Sequence, residues 1–245
     1  MGLRHPHKPS EYPSFWLYLL DETHVTVTLS TALILLYTRD AHVLWFSVGA
    51  LGSTWVAKIL KLCLRAPRPP PPPPESKPSR VRPKKTYGMP STHSTALTFY
   101  WVYLLPMIPS LTPIVLRSLR SISGDLDLSP MFARLPLSLS EGVPRVLEHP
   151  VIPTLGALEA GTPSPSLSVG SSLLGIALTG LWAAGLWSRV ELGYHTPQQV
   201  FGGAALGAVL APAWALVWAK NPGVGAVIQR SIDTVWEGVM GRVLG

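Results

Sequence analysis

Pro90, Ser91, Thr92, His93 and Ser94 stand directly before a long apolar run in the stretch KTYGMPSTHSTALTFYWVYLL, which begins at Lys85. Pro90 stops what precedes it, and Ser91 can cap a helix by accepting a free backbone N–H. His93 then falls in the first helical turn, where the partial positive charge of the helix start disfavours a protonated imidazole. An anion bound at that helix start reverses the argument, because backbone N–H groups and the imidazolium would then share a negative partner.

Two other stretches gather similar chemistry. KLCLRAPRP places Lys61 and Arg65 one helical turn apart, with Arg68 three residues on. WSRVELGYHTPQQVFGG carries Ser188, Arg189, His195 and Gln199. Taken singly, each basic residue reads as a side chain snorkelling to lipid headgroups at the end of a span. Together the stretches supply guanidinium and ammonium groups, two imidazoles, a serine hydroxyl and the N–H groups of a helix start. That set suits phosphoryl transfer, which needs charge stabilised on the equatorial oxygens and a nucleophile in line.

The elements that must position these residues are apolar helices. The chain has 245 residues, 47% hydrophobic and 13% charged, a composition that points to a membrane. Stretches of about 20 apolar residues cross a bilayer, and four qualify: Ala41 to Leu64, His93 to Leu116, Val169 to Trp187 and Val200 to Ala219. A shorter run, His24 to Thr38, is expected as the first of five spans. Phe15 to Leu20 reads as interfacial, and Val224 to Leu244 as an amphipathic helix along the membrane surface. The expected division is an N-terminal segment 1–23, a membrane domain 24–219 with loop insertions at 69–84 and 117–168, and a tail 220–245. The first insertion is a proline run with the character of a stiff spacer or a peptide-module ligand. The second, with His149, reads as a long, partly disordered connection.

Lysine and arginine number 20 against 13 acidic residues, so the net charge of +7 favours an anionic partner. The basic residues lie between apolar spans and no recognition module is visible, which argues against nucleic acid. Cys63 is the one cysteine, so an internal disulfide is excluded. The N-terminus lacks the apolar core of a cleavable signal, and insertion is expected to rely on the internal spans. Five spans in this order bring the end of the second, the start of the third and the turn between the fourth and fifth to one membrane face.

KLCLRAPRP, PSTH and SRVELGYH, in this order and internal spacing, resemble the tripartite signature of the type-2 phosphatidic acid phosphatase superfamily, which also includes vanadium haloperoxidases. The wording KTYGMPSTHS and SRVELGYHTPQQVFGG is most similar to the dolichyl diphosphatase branch. The resemblance covers roughly Ala41 to Lys220. It implies an all-α, polytopic membrane bundle of about five to six spans and a two-step hydrolysis without metal or cofactor. His195 would attack phosphorus to give a phosphohistidine, and His93 would protonate the leaving oxygen. Lys61, Arg68, Ser91, Thr92 and Arg189 would hold the phosphoryl group, Gln199 would orient His195, and Arg65 would help from behind.

Two positions depart from the superfamily pattern. Thr92 stands where many members have glycine, and Gln199 where an acid is expected. An amide orients an imidazole without stabilising its positive charge, so a weaker nucleophile is expected, and an acid at 199 should speed attack if orientation is preserved. A diphosphate ester, whose leaving group is a phosphomonoester with a second pKa of about 6, asks less of both histidines. The resemblance therefore implies a dolichyl diphosphate substrate, an endoplasmic reticulum location with a lumenal site, and a role in dolichol recycling for N-glycosylation. The alternatives are another lipid phosphate, such as phosphatidate, a sphingoid phosphate or a different polyprenyl diphosphate, and a non-catalytic lipid-phosphate binder.

Overall fold

A computed structural model describes residues 9, 12–70, 86–112, 115 and 165–244. The bulk of both loop insertions, 71–84 and 117–164, lies outside the described residues, as do Lys85 and His149. The described residues are all helical in their regular structure: α1 Phe15–Asp21, α2 Thr23–Thr38, α3 Ala41–Leu64, α4 Thr92–Leu104, α5 Pro165–Glu191, α6 Pro197–Lys220 and α7 Pro222–Leu244. Three helices are long and apolar enough to cross a membrane, Ala41–Leu64, Val169–Glu191 and Pro197–Lys220. The pair α1 and α2, bent by 52°, makes a fourth if it is one span. The expected all-α membrane bundle is what this shows. One span departs from expectation among the described residues. The run from His93 is not one continuous helix, because α4 gives way at Pro106 to a 3₁₀ turn, Leu105–Met107, where proline cannot donate to the α ladder.

The chain falls into two compact units, residues 1–102 with 181–245, and residues 103–180. In the second, Ile108 is buried and Thr112 Oγ1 lies 3.1 Å from Ser171 Oγ. Helix α5 starts at Pro165, so residues 165–168 are helix rather than loop.

The first unit holds all three motifs. Local signals delimit its helices: Asp40 caps α3 by accepting from His42 N (2.8 Å) and Val43 N (3.0 Å), and Arg65 ends it in the left-handed region at φ 48°. Trp45 of α3 and Trp214 of α6 stack at 4.3 Å, each indole donating to the other's backbone carbonyl. Trp182 of α5 stacks on Trp101 of α4 and donates to Thr98 Oγ1 at 2.9 Å. Helix α7 is helical as expected. Its Gln229 accepts from Ala41 N and donates to the Arg39 carbonyl, both at 3.0 Å, closing the corner where α2 meets α3.

Helices α4 and α6 touch backbone to backbone. Gly203 and Gly207, one turn apart on α6, face Ser91 and Thr95, and a methyl group at either would overlap the carbonyl oxygen of Ser91, just before α4, or of Thr95 within it. This stripe of small residues sets the depth at which the start of α4 enters the site. Gly207→Val is expected to lower the unfolding midpoint in detergent by several degrees, corresponding to overpacking of about 1–3 kcal/mol. Gly52→Ala on α3, where an added methyl meets nothing within 4 Å, should leave the midpoint unchanged or raise it slightly.

Candidate active site

The turn between α5 and α6 is built by its own sequence. Gly193, at φ 68°, closes α5: its N–H bonds the Val190 carbonyl at 2.9 Å, while Tyr194 N and His195 N both reach the Arg189 carbonyl, at 3.1 and 3.2 Å. Only glycine takes that conformation without strain. Three residues after Gly193, Thr196 caps α6. Its hydroxyl accepts from Gln199 N at 3.3 Å, and Gln199 Oε1 accepts from Thr196 N at 3.2 Å, with Pro197 in the first helical position. His195 is held between two helix ends and is buried, 6% exposed.

Gln199 also fixes the chemistry of that histidine. Its Nε2 lies 2.7 Å from the carbonyl of Pro67, in the segment after α3. A carbonyl only accepts, so the amide nitrogen must face Pro67 and the amide oxygen must face His195 Nδ1, 3.3 Å away. Nδ1 therefore carries the proton and donates, leaving Nε2 with a free lone pair. Gly88 makes room for this amide, since a methyl there would overlap the Gln199 side chain.

The same bonds join the three motifs. Arg68 donates from Nη1 to the Tyr194 carbonyl (2.6 Å), from Nε to the Thr86 carbonyl (2.7 Å) and from Nη2 to Thr86 Oγ1 (2.9 Å). Gly88 N reaches the Ala66 carbonyl at 2.8 Å, and Ser91 N reaches the Gln199 carbonyl at 3.1 Å. Ser91 is fully buried and caps α4, its Oγ accepting from Ser94 N (3.4 Å) and Ser94 Oγ (2.9 Å). Lys61 is buried in the last turn of α3.

Burial first, then the fields of Arg68 and Lys61 and more weakly of Arg189, hold His195 down at about 3, against a small opposing effect of its bond to Gln199. The imidazole is neutral at physiological pH and lies in the field of three cations, a setting that attracts an anion.

The remaining expected residues sit differently. Thr92 and His93 line a groove, and the His93 ring meets that of His24 edge to face at 5.1 Å. Arg65 is exposed and donates to the Leu62 carbonyl at 3.2 Å, outside the bonds that join the motifs. Arg189 is buried in an ion pair with Asp21, Nη1 to Oδ1 at 2.6 Å. Its Nη2 reaches the Leu20 carbonyl (3.0 Å) and Ser188 Oγ (3.1 Å), and its Nε reaches Ser188 Oγ (3.2 Å). Those contacts engage four of the five guanidinium N–H groups, so a bidentate grip on phosphate is closed to Arg189 while Asp21 holds it. Asp21 is absent from the sequence reading. Its signal was the first of two adjacent acids, Asp21 and Glu22, ending the apolar run FWLYLL, where an ionised group calls for a partner.

A family model described as the PAP2 superfamily matches residues 42–222, which include all three motifs. The chain belongs to this superfamily. Over 59 residues, 24% of the chain, it is 42% identical to the protein named lipid phosphate phosphatase gamma of Arabidopsis thaliana. The match spans 24% of that relative's length. No solved structure matches the chain.

Proposed function

We propose that this PAP2 superfamily member is a membrane lipid-phosphate phosphatase acting through a phosphohistidine at His195, with dolichyl diphosphate as substrate. The observation that carries the chemistry is the neutral, oriented His195, its Nε2 lone pair set among Lys61, Arg68 and Arg189. Nε2 bonds to phosphorus as the bridging P–O bond breaks. The departing dolichyl phosphate takes its proton from His93, and water then cleaves the N–P bond to release inorganic phosphate. Among the described residues no group of three or more His, Cys, Asp or Glu gathers in a way that could hold a metal ion, and the protein's own cations supply the charge.

A groove supports a lipid. It has a volume of about 490 Å³, is lined chiefly by apolar atoms of α2, α3 and α4, and has His24, Lys58, Thr92 and His93 among its lining residues. Along α3 it runs from Lys58 to Leu44, about 21 Å at helical rise, more than the roughly 15 Å of one bilayer leaflet. The amide at Gln199 favours a diphosphate, whose leaving group needs less help. In this reading the protein works in the endoplasmic reticulum membrane with its site toward the lumen, returning dolichyl phosphate to the glycosylation cycle.

The test is phosphate release by the purified chain in detergent, from dolichyl diphosphate and separately from phosphatidate, with EDTA present. Release from the diphosphate alone, indifferent to EDTA, is expected. Equal release from both lipids would keep the mechanism and remove the substrate assignment. No release from either, by folded protein, would favour a lipid-phosphate binder.

A further inference from the structure

The corner between α1 and α2 lies outside the three motifs, yet two site residues rest on it. The 52° bend there turns the Asp21 carboxylate and the Leu20 carbonyl toward Arg189. The other carboxylate oxygen, Oδ2, accepts from Tyr12 Oη at 2.6 Å and Tyr194 Oη at 3.0 Å. The Asp21 backbone carbonyl takes His24 Nδ1 at 3.1 Å, and the His24 ring in turn meets His93. Tyr12, Leu17, Leu192 and Tyr194 pack together as a buried apolar cluster beside this pair.

A buried ion pair of this kind contributes little net stability, since desolvating both ions offsets their attraction. Its effect is geometric. Arg189 carries the carbonyl that receives His195 N and Tyr194 N, so the guanidinium anchor and the turn bearing the nucleophile form one rigid piece. Held by Asp21, Arg189 contributes charge and at most a single N–H to a phosphate. Released from Asp21, it would offer ground-state phosphate both Nη1 N–H groups and a charge no longer neutralised, while Nη2 and Nε keep the Leu20 carbonyl and Ser188 Oγ. A grip equally strong on substrate, transition state and product does not speed the chemical step, and it slows release of inorganic phosphate.

We propose that Asp21, supported by Tyr12 and Tyr194, is a positioning residue for phosphoryl transfer that holds Arg189 back from a bidentate grip on phosphate. The proposal rests on the phosphatase reading for its effect on rate, but its effect on phosphate binding can be measured without turnover. In the full chain, Asp21→Asn is expected to lower kcat about ten- to a hundredfold through lost alignment. The same variant should bind inorganic phosphate about three- to tenfold more tightly, as a competitive inhibitor and by direct titration. A part that merely supports the fold would weaken both together.

Phosphate bound as in the wild type, or more weakly, overturns the proposal. If the wild type turns over no lipid phosphate, the phosphatase reading fails alone, and the titration still decides: tighter binding by Asp21→Asn supports the hold on Arg189, and unchanged binding ends it. Should Asp21→Asn not fold, Tyr12→Phe removes one hydroxyl from Oδ2 while leaving the ion pair. A two- to fivefold loss of kcat with phosphate bound no more weakly supports the proposal, and wild-type kcat overturns it.

Discussion

His195→Ala is expected to abolish turnover, by about four orders of magnitude or more, while leaving affinity for inorganic phosphate within about threefold of the wild type. The two effects separate because different atoms carry them. In the proposed mechanism Lys61 and Arg68 supply charge for binding, and the placement of Arg68 does not depend on the imidazole, since it is anchored on Thr86 and the Tyr194 carbonyl. The turn itself also survives, since Gly193, the Arg189 carbonyl and the Thr196 cap all act through backbone or neighbouring side chains. The wild-type chain quenched during turnover should carry an acid-labile, base-stable phosphoryl group, as a phosphoramidate is, and the variant should carry none. A variant that keeps turnover would remove His195 as nucleophile. One that loses turnover and phosphate binding together would point to a collapsed turn, which thermal unfolding in detergent would reveal.

How far the sequence led toward this site depended on whether each signal was local. Ala41 to Leu64 was readable as a span because one uninterrupted apolar run, an Asp before it and basic residues at its end all agree, and α3 has those bounds. The start of α6 was placed three residues late, at Val200, because hydropathy registers only the apolar body of a helix. The cap signal lay in TPQQ, which is a threonine, a first-turn proline and a glutamine three residues after the cap. The break at Pro106 was likewise marked by its proline within an apolar run. Meeting of the motifs was argued from span order, and the structure supplies the bonds: Gln199 to Pro67, Arg68 to Tyr194, Ser91 to Gln199. The partner of Arg189 was out of reach, because Asp21 lies 168 residues away in sequence and no periodicity links two residues across such a distance. In the sequence the N-terminal segment is a short apolar stretch ending in two acids, Asp21 and Glu22. In the fold it reaches the deepest cation of the site.

Gln199→Glu is expected to slow the reaction about ten- to a hundredfold, the opposite of what sequence reasoning anticipates for an acid at this position. That anticipation required orientation to be preserved, and the tether to Pro67 is what preserves it. A carboxylate keeps the bonds to Thr196 N and His195 Nδ1, and its charge suits a helix start by about 0.3–1 kcal/mol. It also sets an oxygen where the amide nitrogen now lies 2.7 Å from the Pro67 carbonyl. Two acceptors then face each other, and the half-buried bond to the Pro67 carbonyl, worth about 0.5–1.5 kcal/mol, is lost before repulsion is counted. The side chain must turn away, and Gly88, pressed against it, moves with it. The gain is smaller, because the amide already selects the productive tautomer and the carboxylate adds only charge. That charge has a second effect with a definite sign. An anion beside His195 raises its pKa from about 3 toward the ordinary imidazole range, so protons taken up as the pH falls occupy the lone pair that must attack. The variant should therefore lose kcat/KM on the acid side at a pH where the wild type does not. A Gln199→Glu protein faster than the wild type, with an unshifted acid limb, would show that charge outweighs the tether.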